Sequence, residues 1–462
     1  MNNQLKNSIT HPLLAGVAQT DITPPLGTFI NGDFVTHYAR YVHDNLFAKA
    51  LVFKNSITTI AIIVVDICVM PKEFVDEVKS MITHQTGIAF QNILISSTHT
   101  HAAGSVESVY LAPADIPYTK KLPDLILQSV QKAIQKLRPA KTAFGKVDVP
   151  QHVRCRRYFM QKDYIAVNPV LGGADEIKTN PFGKGQFINR CAAQTDPQVS
   201  YLAVKGIDDK WISIMGNYSL HYVGDWENGT ISADYFGEFS RQIGKKLQGG
   251  DDFVGMMSNG TSGDINIWDF QESAIYPSEN FKKSELIAND IAEKVFQSLS
   301  QINWENDPVL KVEYEEIPIG VRKPMLEDLE RAKQMVSESN YENLQVTDEG
   351  LLSIYAREQI LLNEYPHVLL FPVQAIRIGS GIIGGLGGEI FAETGLWLKD
   401  NCPFKKYFTV GLANANCGYL PPAHEMEKGG YETWRSRTSK LEADAEEKIR
   451  NKQLELIQKI AV

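Results

Sequence analysis

Residues 58–70, TTIAIIVVDICVM, contain the most apolar run of the chain and predict a strand in the interior of a sheet. The run is too short to span a bilayer, and Asp66 interrupts it. Residues 71–87, PKEFVDEVKSMITHQTG, follow directly, and they combine a proline suited to a helix start with apolar residues at helical spacing. Residues 92–97, NILISS, predict the next strand.

Strand-like and helix-like segments alternate in this way through the whole chain. We therefore predict an α+β protein with mixed β-sheets in its core and helices covering them. No linker rich in proline or serine divides the sequence, so we expect an N-terminal tail over residues 1–14 and one domain over 15–462 that ends in a charged helix. The irregular segment 153–195 is expected to form loops over a site.

Composition excludes several classes of protein. The 462 residues carry 46 basic and 55 acidic side chains, a net charge of −9, which argues against a nucleic-acid partner. The number of cysteines, five, is odd, which argues against a disulfide framework. No two of them form a CxxC pair, which argues against a thiolate zinc site. We therefore expect reduced thiols. No secretory signal is visible, and we expect a cytoplasmic protein without stable membrane insertion. The sequence leaves the oligomeric state open.

Three polar positions follow predicted strands and combine into one hypothesis. They are His99 in SSTHTHAAG, His221 at the end of WISIMGNYSLH, and Glu389 in GGLGGEIF. A further histidine, His101, follows His99 two residues later. Taken singly, each has a plain structural explanation, such as a hydrogen-bonded histidine or a carboxylate at a helix start. Taken together, two imidazoles and a carboxylate are the ligand set of a catalytic Zn²⁺ site.

Seven motifs carry a family resemblance. They are TDITPPLG, SSTHTHAAG, NYSLH, ISADYFGEF, SNGTSGDIN, GGEIFAE and GLANANCGYLPP with GGYE after it. In this order they resemble the neutral ceramidase family over most of residues 15–435. The resemblance implies a fold like the catalytic domain of that family, and the C-terminal immunoglobulin-like domain of those enzymes is expected to be missing.

The resemblance also implies roles for individual residues. It makes His99, His221, Glu389 and Tyr419 the zinc ligands. It makes His101, Arg156 and Tyr431 active-site residues, although Arg154 and Arg157 lie close enough to leave the arginine assignment open by a residue or two.

Two positions near residue 265 bear on the mechanism. Asn266 stands where the family has a serine once suspected as a nucleophile, so metal-activated water is the better mechanism. Asp264 is a candidate base or histidine-orienting residue, and a turn residue is its plain alternative.

We therefore expect a zinc-dependent amidohydrolase that cleaves an N-acyl amide of a small-molecule or lipid-like substrate. Two alternatives stay open. One is a metal-dependent hydrolase or lyase acting on a polar or acidic sugar derivative. The other is a metal-free binding protein that retains only the scaffold.

Overall fold

The strand predicted over residues 58–70 forms at Thr59–Val65, in a mixed eight-stranded sheet. The computed structural model describes residues 12–271, 276–342 and 344–461. In spatial order the strands of this sheet are Val254–Asn259, Trp211–Tyr218, Gln198–Gly206, Arg138–Asp148, Leu14–Asp21, Phe47–Lys54, Thr59–Val65 and Ile93–Ser97. The outer pair at each end is parallel, and the remaining neighbours are antiparallel.

A second, four-stranded sheet is built from the C-terminal part of the chain. Its order is Leu310–Gly320, Val368–Ile378, Gly381–Leu386 and Lys406–Val410, with the last pair parallel. The shorter strands are Phe29–Ile30, His37–Tyr38, Tyr41–Val42, Arg154–Cys155, Arg157–Met160, Ala166–Val167, Ala174–Asp175, Ile177–Thr179, Ile188–Cys191, Thr230–Ile231, Ile265–Asn266, Glu389–Ile390 and Tyr419–Leu420.

The described residues form ten α-helices. They are Lys72–Thr86, Ile116–Thr119, Leu122–Gln135, Asp234–Leu247, Lys282–Ser298, Leu326–Glu338, Asp348–Asn363, Ala392–Asn401, Ala423–Glu427 and Ala445–Ala461. The first and third of these, and the fourth and fifth, pack on the eight-stranded sheet. Ala392–Asn401 and Ala445–Ala461 pack on the four-stranded sheet, whereas Leu326–Glu338 and Asp348–Asn363 pack on each other. Among the described residues, none of these helices is long and apolar enough to cross a membrane.

The period-two pattern of the buried strands explains the layering. Ile60, Ile62 and Val64 face the second sheet, because they share an apolar cluster with Ile383 and Phe408. The alternate residues 61, 63 and 65 pack instead with helix residues 74–82 and 122–133. Successive side chains of a strand point to opposite faces, so a continuous apolar run is buried on both sides. The predicted fold class, mixed sheets covered by helices, is confirmed.

The predicted element boundaries need modest corrections. The predicted charged helix at the C-terminus extends over Ala445–Ala461, whereas the charged residues before it, from 439 on, lie outside any helix. Segment 153–195 is irregular as predicted, but short strands such as Arg157–Met160 and Ile188–Cys191 pair within it. The tail predicted at 1–14 lies largely outside the described residues, since 1–11 are not among them, and the first strand begins at Leu14. The single domain over 15–462 stays a prediction.

Lys79 is a fully buried lysine on the first helix, and it makes stability depend on pH. Its Nζ lies 4.1 Å from the Phe90 ring centroid and 4.2 Å from that of Tyr314. Burial lowers its pKa to about 7, although Asp76 and Glu316 act in the opposite direction. In the unfolded chain the same amine keeps its proton up to its ordinary pKa of 10.5.

We expect Lys79→Met to raise the free energy of unfolding by about 1–3 kcal/mol at pH 6, where the native protein must bury a charge or lose a proton. Between pH 7 and 10 the unfolded chain binds more protons at this site than the native state, so the wild type gains stability as the pH rises. The advantage of Lys79→Met should therefore shrink over that range. Urea titrations at pH 6, 7, 8 and 9 measure it, with Lys245→Met on an exposed helix position as the control. A pH-independent difference would contradict the expectation.

Candidate active site

The predicted metal ligands lie just beyond the ends of three strands, each paired in parallel with a neighbour. His99 follows Ile93–Ser97, His221 follows Trp211–Tyr218, and Glu389 follows Gly381–Leu386. Ligand sites in open α/β sheets lie outside the carboxyl ends of parallel strands. The two sheets join here as well, since Ser97 N donates to Leu412 O and Asn414 N donates to Ile95 O.

The backbone at His99 is not extended, although a strand precedes it. The strand ends at Ser97, and His99 has φ +73°. A residue other than glycine pays a steric cost in this left-handed region, and such residues cluster at functional sites. The two imidazoles still meet, because the turn brings His101 Nε2 to 3.2 Å from His99 Nε2.

His99, His221 and Glu389 bring their ligand atoms together. His99 Nε2 lies 3.1 Å from His221 Nε2 and 3.4 Å from Glu389 Oε2, and His221 Nε2 lies 4.0 Å from the same carboxylate oxygen. These three residues form a group whose ligand atoms all lie within 4.8 Å of one another. His101 belongs instead to a second such group, with Cys68 and His99.

Hydrogen bonds to backbone carbonyls fix the tautomers of the two histidines. His99 Nδ1 lies 2.9 Å from Cys68 O, and His221 Nδ1 lies 3.2 Å from Ser262 O. A carbonyl only accepts, so each Nδ1 carries a hydrogen, and each Nε2 presents a lone pair when its ring is neutral. The two Nε2 atoms lie 3.1 Å apart, so either a proton on one ring or a metal cation must lie between them.

The set fits a zinc-type cation on two further observations. Glu389 Oε2 is buried and has no hydrogen-bond partner, as expected for an oxygen that awaits a ligand. Two ligand atoms about 2.0–2.1 Å from one tetrahedral ion lie roughly 3.4 Å apart. The separations of 3.1 and 3.4 Å around His99 Nε2 match that spacing.

Charges around the cluster favour one cation at its centre. Burial disfavours a charge on His99, but Cys68 and Glu389 outweigh it and raise the pKa of His99 well above its ordinary value. Burial, followed by the charges of Arg156 and His99, lowers the pKa of His221. For His101 burial again comes first, and the same two charges lower its pKa further. The cluster thus accommodates one positive charge rather than several.

Arg156 is the arginine that reaches the centre. Its Nη1 lies 3.4 Å from His221 Nε2, while Nη2 donates to Gly263 O and Nε pairs with Glu432 at 2.9 Å. Arg157 is also buried, but it pairs with Glu432 and Glu425. Arg154 lies nearer the surface, 3.7 Å from Asp269. The structure therefore separates the three arginines that the sequence left ambiguous.

Tyr419 and Tyr431 lie together beside Arg156. Tyr419 is the direct partner of Glu389 in a parallel strand pair, so the fold holds these two residues side by side. The two tyrosine rings are 5.7 Å apart, and the Arg156 guanidinium lies 5.4 Å from the ring of Tyr419 and 5.0 Å from that of Tyr431. Burial raises the pKa of both phenols. Both are therefore protonated donors unless a cation intervenes.

Asp264 does not line the cavity. Its Oδ1 accepts the backbone N–H of Ala392, at the start of helix Ala392–Asn401, and its Oδ2 is buried without a hydrogen-bond partner. Burial raises its pKa to about 7. At this position Asp264 is better suited to hold the helix start against the loop of Glu389. It is less suited to act as a base, because a base must touch the substrate.

A cavity of about 240 Å³ opens over the cluster. Its wall includes His99, His101, Arg156, His221, Glu389, Tyr419 and Tyr431. Asn266, at the family's serine position, lines it as well and donates to Asn180 Oδ1 at 2.7 Å. Sequence reasoning missed Tyr222, which stacks on His101 at 3.6 Å, and Trp268, 6.2 Å from Tyr222. Tyr222 directly follows His221, and Trp268 lies two residues after Asn266. This closeness in sequence to candidate site residues could have pointed to both.

Comparison with known proteins identifies the fold. No family model and no curated protein matches the chain. Neutral ceramidase from Pseudomonas aeruginosa superposes with a TM-score of 0.73 at 16% identity, covering 97% of this chain and 74% of that one. The chain has the neutral ceramidase fold. A structure described as a ceramidase complexed with C2 gives a TM-score of 0.70 at 15% identity, covering 98% of this chain and 75% of that one.

Proposed function

We propose that this protein is a zinc-dependent amidohydrolase that cleaves an N-acyl amide. The observation that carries the proposal is the convergence of two imidazole Nε2 atoms and a carboxylate oxygen without a hydrogen-bond partner in the wall of a cavity. The neutral ceramidase fold supports amide hydrolysis as the reaction class, because the two similar structures are ceramidases.

His99, His221 and Glu389 would hold the ion, and Tyr419, the strand partner of Glu389, would complete the set. When bound, Zn²⁺ supplies Lewis-acid polarisation of the amide carbonyl and activation of water. Because a catalytic zinc site can expand from four ligands to five, water could still bind beside Tyr419, which distinguishes such a site from a closed structural one.

The chain's own residues supply the rest of the chemistry. Arg156 is held rigidly by Glu432 and Gly263 O, and its Nη1 faces the cluster, where it can stabilise negative charge on the carbonyl oxygen. Tyr431 contributes a phenol O–H on the same side. His101 lies beside the ligand group and can pass the proton of the attacking water to the leaving amine.

Metal removal tests the proposal directly. Protein stripped with a chelator should release no amine from a panel of N-acyl amines, and one equivalent of Zn²⁺ should restore turnover and raise the thermal unfolding midpoint. Mg²⁺ should do neither, because it prefers oxygen ligands. Full activity in the stripped protein would exclude the metal mechanism.

A further inference from the structure

The size and wall of the cavity limit the acyl group. Its volume of about 240 Å³ lies below the roughly 300–1,000 Å³ typical of pockets for drug-sized ligands. A long acyl chain gains about 0.8 kcal/mol for each buried CH₂ and therefore needs an aliphatic channel. Among the described residues that line the cavity, only Val69 and Val109 have branched aliphatic side chains. A short acyl group fits this wall better than a long one.

An aromatic wall leads away from the metal cluster. Tyr222 stacks on His101 with ring centroids 3.6 Å apart, Trp268 meets Tyr222 edge-on at 6.2 Å, and Phe182 meets Trp268 at 5.1 Å. Aromatic faces carry partial negative charge and attract the slightly positive C–H groups of a saturated ring. Such a wall suits one face of a saturated ring that is bound next to the amide bond at the metal cluster.

Polar side chains at the same wall can form hydrogen bonds with the hydroxyl groups of a ligand. Asn266 is fixed, because its Nδ2 donates to Asn180 Oδ1 and its Oδ1 accepts the N–H of Trp268. That bond orients the Asn180 amide so that its nitrogen remains as a donor. Asp33 also lines the cavity, half-exposed, with its carboxylate oriented by His37 at 2.9 Å. One donor and one acceptor flanking an aromatic wall match the edge of a polyol.

Charge argues against an anionic ligand. Arg156 is the only lysine or arginine among the described lining residues, and it pairs with Glu432 at 2.9 Å. Asp33 and Glu389 add negative charge to the same cavity. Apart from Arg156 and the proposed ion, both of which the reacting amide would use, an anionic sugar such as a uronate would meet no cationic group on the described wall.

We infer that the substrate is a short N-acyl amide of a single neutral sugar ring, an N-acetylated amino sugar. The inference rests on the proposed function and specifies its substrate class. In the reaction the amide C–N bond breaks and the oxygen of water bonds to the acyl carbon to give acetate. Both protons of that water end on the nitrogen, which leaves as the ammonium form of the amino sugar.

Competing substrates test this class. Zinc-loaded protein is assayed with the methyl glycoside of N-acetylglucosamine, with N-acetylated amino acids and with a long-chain ceramide in detergent micelles. We expect kcat/KM for the amino sugar to exceed each of the others at least tenfold. Preference for ceramide or for an N-acetyl amino acid would overturn the inference and leave the amidohydrolase intact. Zinc binding without hydrolysis of any amide would overturn both.

Trp268→Ala and Phe270→Ala form a matched pair, because both rings contact Phe182, at 5.1 and 5.0 Å, and only Trp268 lines the cavity. We expect Trp268→Ala to raise KM for the amino sugar at least tenfold with kcat within threefold of wild type, and Phe270→Ala to leave both constants unchanged. Binding of the amino sugar should also quench tryptophan fluorescence in the wild type and much less in Trp268→Ala. Equal KM values for the two variants would overturn the assignment of this wall.

Discussion

The His99→Asn variant is expected to lose bound zinc and amide hydrolysis together, with turnover lower by about a thousandfold or more. His99 Nε2 is the atom nearest to all the others in the cluster, 3.1 Å from His221 and 3.4 Å from Glu389. Asparagine tolerates the left-handed backbone at φ +73°, so this substitution removes the imidazole without adding backbone strain.

Metal content by mass spectrometry and the thermal shift on adding Zn²⁺ measure the loss independently of activity. His84→Ala, which removes an exposed histidine from the first helix, is the control and should keep one zinc per chain. If His99→Asn also keeps one zinc per chain, the proposed ligand set is wrong.

The Glu432→Gln variant is expected to lose about 3–5 kcal/mol of unfolding free energy, because it leaves two buried guanidinium groups without their shared carboxylate. Glu432 is fully buried, and its two oxygens lie 2.9 Å from Arg156 and 2.9 Å from Arg157. Thr179 donates to the same carboxylate at 2.6 Å. Turnover should fall as well, since Glu432 holds Arg156 against the metal cluster.

Urea unfolding measures the loss of unfolding free energy. The loss of turnover that follows from a displaced Arg156 is measured as kcat at a temperature where the variant stays folded. Glu455→Gln is the matched control, since Glu455 pairs with Lys452 and Lys459 at the surface, where ion pairs are worth about 0–1 kcal/mol. Equal stability of the two variants would show that the buried network contributes nothing beyond a surface pair.

Much of the fold could be predicted from local patterns. The apolar run at 60–65 is buried on both faces, and Pro71 does precede a helix. Ordered motifs also pointed to the neutral ceramidase fold, which the structural comparison confirms. The sequence was less informative in segment 153–195, because its strands are only two to four residues long, too short to show a period-two pattern.

The candidate site was also predictable only in part. The sequence alone shows two histidines two residues apart after a strand, and a glutamate after a glycine-rich strand. That His99 Nδ1 faces Cys68 O, or that Glu389 Oε2 lacks a partner, depends on the folded surroundings. The sequence also could not separate Arg156 from Arg157, because their roles follow from which carboxylate each one meets.

The sequence by itself determined the elements and the residue types available for chemistry, because periodicity, caps and side-chain identity are local properties. Only the tertiary structure decided that residues 99, 221 and 389 face one another, that Tyr419 lies in register with Glu389, and that the cavity is small and aromatic. The physical reason is that these contacts join positions at least 30 residues apart, and strand pairing and sheet packing set their distances.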